Sequence, residues 1–157
     1  IKWYKWAADQ GDAAGQYGLG TMYDNGEGMP EDNETAVRWY TLSAEQGDED
    51  AQLNLGVMYD SGQGVLENDE TAVKWYALAA RQGLAEAQTN LGVMYQNGHG
   101  VTMDIDRAYM WHNIAAYGGN DLGNQNKKAL ASEMNASDKA KLQKMSNTCL
   151  ASGYQDC

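Results

Sequence analysis

An all-α solenoid built from helical hairpins is the fold this sequence predicts, and two observations predict it. Residues 51–65, Ala-Gln-Leu-Asn-Leu-Gly-Val-Met-Tyr-Asp-Ser-Gly-Gln-Gly-Val, return 36 residues later at 87–101 with eleven of fifteen positions identical. A looser copy lies 36 residues upstream, at 15–29. Between these stretches runs a second recurrent segment: residues 2–11 match 38–47 and again 74–83. Two alternating segments at one fixed spacing make a repeat of two helices, and such repeats bury a shared core by stacking on their neighbours.

The first segment of each unit is helix A. Ala36, Trp39, Tyr40, Ser43 and Ala44 recur at steps of three and four, which is one face of a helix. Asp32, Asn68 and Asp104 precede the three internal copies and are good N-caps, while Gly47 and Gly83 end helices at little backbone cost. Helix B is expected near 13–25, 49–61 and 85–97, with Ala51, Leu55, Met58 and Tyr59 on one stripe. Gly56 and Gly92 sit mid-helix, where glycine costs about 1 kcal/mol, so their recurrence predicts close helix–helix approach. Gly62 and Gly98 stop helix B, and Gly64 and Gly100 turn the chain into the next unit.

The pattern holds through helix A at 107–116 and then degrades: Lys127-Lys128-Ala129-Leu130 stands where Leu-Gly-Val-Met is due. A helix over 121–134 and a last helix over about 138–152, capped by Ser137 and ended by Gly153, predict a capping element for the stack. The expected organisation is therefore 1–119 as repeats, with units near 1–28, 29–64, 65–100 and 101–119 onward, and 120–157 as a degenerate repeat helix, capping helix and tail.

Composition narrows the function. The net charge is −11, with six Lys/Arg against eighteen Asp/Glu in residues 1–120 and five against four in 121–157. An acidic body repels phosphate backbones and argues against nucleic acid as a partner. No apolar run approaches the ~20 residues that span a bilayer, so membrane insertion is not expected. The first residue is Ile1 rather than Met, inside a repeat, which reads as a processed or trimmed product.

The unit Ala36, Tyr40, Ala44, Gly47, Ala51, Leu55, Gly56, Tyr59, Gly62, Gly64, Val65 resembles the Sel1-like repeat (SLR) family, with Ser43 and Asn68 departing from its pattern. The next unit, Ala72, Tyr76, Ala79, Ala80, Gly83, Ala87, Leu91, Gly92, Tyr95, Gly98, Gly100, Val101, Asp104, fits throughout. The 36-residue period and Gly-x-Gly loop separate it from the 34-residue tetratricopeptide repeat. The resemblance implies a right-handed α/α superhelix that acts as a non-enzymatic adaptor, with the A helices lining a concave surface that takes a protein or peptide. It also implies an alternative, since some cysteine-rich bacterial relatives bind or hydrolyse β-lactams. A third reading is a structural segment of a longer repeat chain.

The sequence carries little that supports an enzyme. No Ser-x-x-Lys or Lys-Thr-Gly occurs, so the β-lactam reading lacks a nucleophile motif. His112 takes the column of Tyr40 and Tyr76 and is expected to be a partly buried helix residue; His99 lies in a loop slot and is expected to be solvated. Neither has ligand spacing to a second metal-binding side chain. No phosphate loop or dinucleotide fingerprint is present, and no cofactor is called for. Trp39, Trp75 and Trp111 recur at 36 residues, either as an aromatic ladder for a ligand or as packing between repeats; packing is the simpler account.

Cys149 and Cys157 are the only cysteines. One ends the last helix and the other follows a glycine-containing turn, which predicts a disulfide between them and hence a periplasmic or secreted protein; the alternative is two free thiols in the cytosol. The six basic residues of 1–120, Lys2, Lys5, Arg38, Lys74, Arg81 and Arg107, all fall on A helices. Lys2, Arg38 and Lys74 share a column, and a partner is expected to dock along Arg38, Thr41, Lys74, Ala77, Arg81, Asn113 and Tyr117, with Glu45 nearby. Helix pairing of Glu34 with Arg38 and of Glu70 with Lys74 would explain the same cations without a partner. The chain is expected to act as a monomer.

Overall fold

The structure is a computed structural model that describes residues 2–157. Among these residues all regular structure is helical: α1 (Lys2–Asp9), α2 (Ala13–Asn25), α3 (Asn33–Glu45), α4 (Glu49–Ser61), α5 (Asp69–Arg81), α6 (Ala85–Asn97), α7 (Ile105–Tyr117), α8 (Asp121–Ser132) and α9 (Ala136–Ala151). Odd-numbered helices from α1 to α7 are the A helices, and α2, α4 and α6 fall on the predicted B-helix bounds. The chain forms two compact units, one through Trp75 and one from Tyr76 to Cys157, with α5 contributing to both.

The helix ends follow from local chemistry. Asp12, Asp32, Asp48 and Asp104 are N-caps whose carboxylates accept from the backbone N–H three residues on, and the Asn68 side chain accepts from Thr71 N in the same way. Asp32 also accepts from the Thr35 hydroxyl at 2.7 Å, and these two Thr35 bonds hold its carboxyl below the usual range. The B helices α2, α4 and α6 end on left-handed Gly26, Gly62 and Gly98, each donating its N–H to a methionine carbonyl four residues back.

In the first unit the core is Ala36, Val37, Tyr40 and Ala44 of α3 against Ala51, Leu55 and Met58 of α4, with Tyr17, Tyr23, Tyr59, Val65 and Trp75 packed around it. Each large side chain buried here contributes about 1.5–3 kcal/mol. Trp75 therefore serves packing. Gly64, at φ +70°, lies so close to the Asn33 backbone that a Cβ there would sit 2.4 Å from the carbonyl oxygen, which fixes how the loop after α4 meets the start of α3. In the second unit α7 packs against α6, α8 and α9, and every residue from Ala108 to Ala115 is buried. Trp111 is among them, again as core.

The recurrent mid-helix glycine has a direct explanation. A Cβ on Gly20 would lie 2.7 Å from the Tyr40 ring, and one on Gly92 would lie 2.6 Å from the His112 ring. At these two positions the glycine of helix B is the notch that receives the ring of the following helix A; the sequence predicted close helix–helix approach there, but not which side chain makes it. A second recurrent device was not foreseen. Gln16, Gln52 and Gln88, near the start of each B helix, are buried and donate side-chain N–H bonds to the carbonyls of Ala8, Ala44 and Ala80. Those carbonyls sit at the C-terminal ends of A helices, where each also accepts from the N–H of the glycine three residues on, so the glutamine supplies a second bond to the helix end.

The C-terminal segment departs from the sequence reading at its helix ends: α8 stops at Ser132 rather than 134, and α9 begins at Ala136 rather than 138. The N-cap of α9 is Asn135, not Ser137, which lies inside the helix. Asn135 accepts from Asp138 N at 2.9 Å and donates to the Asp138 carboxylate at 2.7 Å, a reciprocal cap that Ser137 cannot match because no acidic side chain stands three residues after it. The Cys149–Cys157 disulfide is formed, with Cα atoms 5.0 Å apart, and folds the tail back so that the Tyr154 ring lies over Gly83. No helix among the described residues is long and apolar enough to cross a membrane.

Candidate functional site

The side chains expected to meet a partner take unequal positions. Arg38 on α3 and Lys74 on α5 are exposed, and so is Arg81 in the last turn of α5. Ion pairs among the described residues are Arg107–Asp104 and Lys141–Asp106, so neither Glu34–Arg38 nor Glu70–Lys74 is formed. Thr41 and Ala77 are half-buried, and the Thr41 hydroxyl donates to the Val37 carbonyl. Glu45 is exposed at the end of α3. Tyr117 is 66% exposed and lines a shallow pocket with Asn120, Asn124 and Lys127.

Asn113, expected to meet a partner, is buried instead. It is only 1% exposed and cannot meet a partner at the surface, because α7 is enclosed by α6, α8 and α9 while α3 keeps its Thr41 position half-open. His112 goes further than expected. It is fully buried, with neither ring nitrogen hydrogen-bonded, and burial pushes its pKa down to about 4. Its counterpart Tyr40 is equally buried but donates from its hydroxyl toward Asp24 at 3.1 Å and Thr21 at 3.3 Å; burial, foremost, raises its pKa to about 12. His99 is exposed. No group of three or more His, Cys, Asp or Glu among the described residues is placed to hold a metal ion.

Lys2 and Lys5 lie exposed on α1 beside Trp3 and Trp6, which are 79% and 60% exposed. Arg107, at the start of α7, is held in place: its Nη1 donates to the Tyr95 hydroxyl at 3.0 Å, its guanidinium stands 5.4 Å from the centre of the Tyr95 ring, and its Nε is 3.6 Å from Asp104. What this surface offers is charge and hydrogen bonding on a helical scaffold.

Helical hairpins joined by Gly-x-Gly loops, with glycine notches at Gly20 and Gly92 under the rings of Tyr40 and His112, define the class as helical-repeat proteins. The Sel1 repeat pattern matches residues 1–12, 13–48, 49–84 and 85–120, and the chain belongs to the Sel1 repeat family, whose repeats generally mediate protein–protein interaction. No curated protein matches the sequence. Among solved structures, the chain is similar to c5321, described as a protective antigen present in uropathogenic Escherichia coli strains displaying an SLR fold. The two share 39% identity with a TM-score of 0.82, over 94% of this chain and 32% of that one. It thus spans about a third of that relative's length. A Sel1 repeat protein from Oxalobacter formigenes is similar at 36% identity and TM-score 0.74, over 80% of this chain and 95% of that one.

Proposed function

We propose that this chain is a non-enzymatic, monomeric binding module that takes a protein or peptide on its A helices. The observation that carries this reading is the pair Arg38 and Lys74. Both are exposed cations without an ion pair among the described residues, in a chain of net charge −11. Exposed cations that stand out from acidic surroundings are where a partner's carboxylates can dock, and contrast of this kind sets register and association rate more than affinity. Family membership supports the same class of function. In the first unit half-buried Thr41 lies on the same helix as Arg38; in the second, Arg81 and Tyr117 are exposed and Ala77 is half-buried, and these are further candidate contacts. The disulfide and the lack of a spanning helix among the described residues are compatible with life outside the cytoplasm, and a periplasmic or secreted location is part of this proposal.

The test is capture of partners from the envelope fraction of the native host by the immobilised protein, compared with an Arg38→Gln/Lys74→Gln variant. Captured species should fall markedly for the variant at low salt. Its stability should stay within about 1 kcal/mol, as for exposed charges generally. Equal capture by both proteins rules these cations out as the docking point. Turnover of nitrocefin by the purified chain would overturn the non-enzymatic reading.

A further inference from the structure

Met103, at the loop between α6 and α7, and Arg107, in the first turn of α7, break the repeat pattern together. Their columns hold Glu31 and Glu67, and Thr35 and Thr71, in the preceding repeats. An acidic–polar pair has become an apolar–cationic one, within a chain carrying twice as many acidic as basic residues. Met103 is 62% exposed and Ile105 is 37% exposed, so the apolar atoms are not spent on the core. Tyr95, Val101, Thr102, Met103, Asp104 and Arg107 line a surface pocket of about 330 Å³.

We propose that this pocket docks a peptide segment of another protein that carries an aliphatic side chain next to a carboxylate. The inference rests on the protein-binding reading above and assigns it a second, distinct contact. Arg107 is fixed in advance by the Tyr95 hydroxyl, the Tyr95 ring and Asp104. A guanidinium already held still loses little entropy when it meets a carboxylate, and its planar fork can offer further donors beyond the one given to Tyr95. Asp104 partly neutralises it, which sets a need for an apolar contribution. Met103 supplies that contribution, since an unbranched thioether adapts to varied aliphatic partners. Methionine, tyrosine and arginine are the residue types enriched at protein interfaces, and here all three meet at one pocket.

The probe is the capped tetrapeptide Gly-Leu-Glu-Gly, with Gly-Leu-Gln-Gly and Gly-Ala-Glu-Gly as controls. Binding is followed through the Met103 methyl and Arg107 Nε resonances of the full chain and, so that the variants can be compared with it, through the backbone amides of Tyr95 and Thr102 at the same pocket. The variant Met103→Glu/Arg107→Thr writes into this loop the residues that already fold at Glu67 and Thr71, so loss of fold does not confound it. We expect both resonances to shift with Gly-Leu-Glu-Gly, about tenfold weaker binding of each control, and loss of binding in the variant. Binding retained by Met103→Glu/Arg107→Thr but lost by Arg38→Gln/Lys74→Gln overturns this site and leaves the earlier proposal standing. Failure of the probe to shift either resonance overturns it too. Concentration-dependent shifts without peptide would overturn it in favour of a second copy of the chain as the occupant.

Discussion

His112 gives the sharpest prediction about stability. Its ring fills the notch at Gly92, fully buried, with no partner for either nitrogen. The fold therefore holds it neutral, with a pKa near 4 against 6.5 for the free side chain. Because the folded value is depressed, the unfolded chain binds the proton first as pH falls. Stability should be unaffected by this residue above pH 6.5, decline between 6.5 and about 4, and level off below that. At about 1.4 kcal/mol per pH unit, the interval amounts to about 3 kcal/mol. The perturbation is His112→Phe, an aromatic replacement in a column where Tyr40 already fits against its own glycine notch. Phe removes the proton site and the two unsatisfied nitrogens, so the variant should be more stable than the parent even at pH 8, by about 1–3 kcal/mol. Urea unfolding of both proteins from pH 8 to pH 3.5 measures this, and subtraction cancels the carboxylates common to both. Parallel stability–pH curves, or a variant less stable than the parent at every pH, would refute the reasoning.

Three further predictions concern the frame around the candidate sites. Tyr40→Phe removes the hydroxyl's bonds to Asp24 and Thr21 and should cost about 1–2 kcal/mol in urea unfolding with an unchanged helical circular dichroism spectrum. Cys149→Ser/Cys157→Ser opens the short loop closed by the disulfide and should cost about 2–3 kcal/mol; intact mass without reductant should meanwhile show no alkylatable thiol in the parent. A chain ending after residue 119 lacks α8 and α9 and uncovers α7, so it should aggregate or unfold at lower temperature than the whole, as followed by light scattering and thermal melting.

Most of the architecture was legible because it repeats. A 36-residue period and glycines at Gly62 and Gly98 were enough to place the bounds of α4 and α6, since left-handed helix ends depend on local backbone chemistry alone. The role of Gly92 was half legible: recurrence predicted a close approach, but which ring fills the notch needed the fold. Ser137 and Asn135 are both competent caps, and the Asp138 carboxylate decided between them, a signal present in the sequence but not read. Gln88 recurs visibly with Gln52, yet its bond to the Ala80 carbonyl depends on how one helix passes the end of another. Candidate binding residues were the least legible. Column alignment treats the copies as equivalent, whereas α9 has no counterpart at α3; its packing on α7 helps bury Asn113 while Thr41 stays half-open.

Docking of partners on the A helices, as proposed, is best probed by hydrogen–deuterium exchange on the chain bound to its captured partner. Slowed exchange should concentrate in α3 (Asn33–Glu45) and α5 (Asp69–Arg81), in the turns that carry Arg38 and Lys74. Protection confined to the B helices α4 and α6, with α3 and α5 exchanging as in the free protein, would contradict the account.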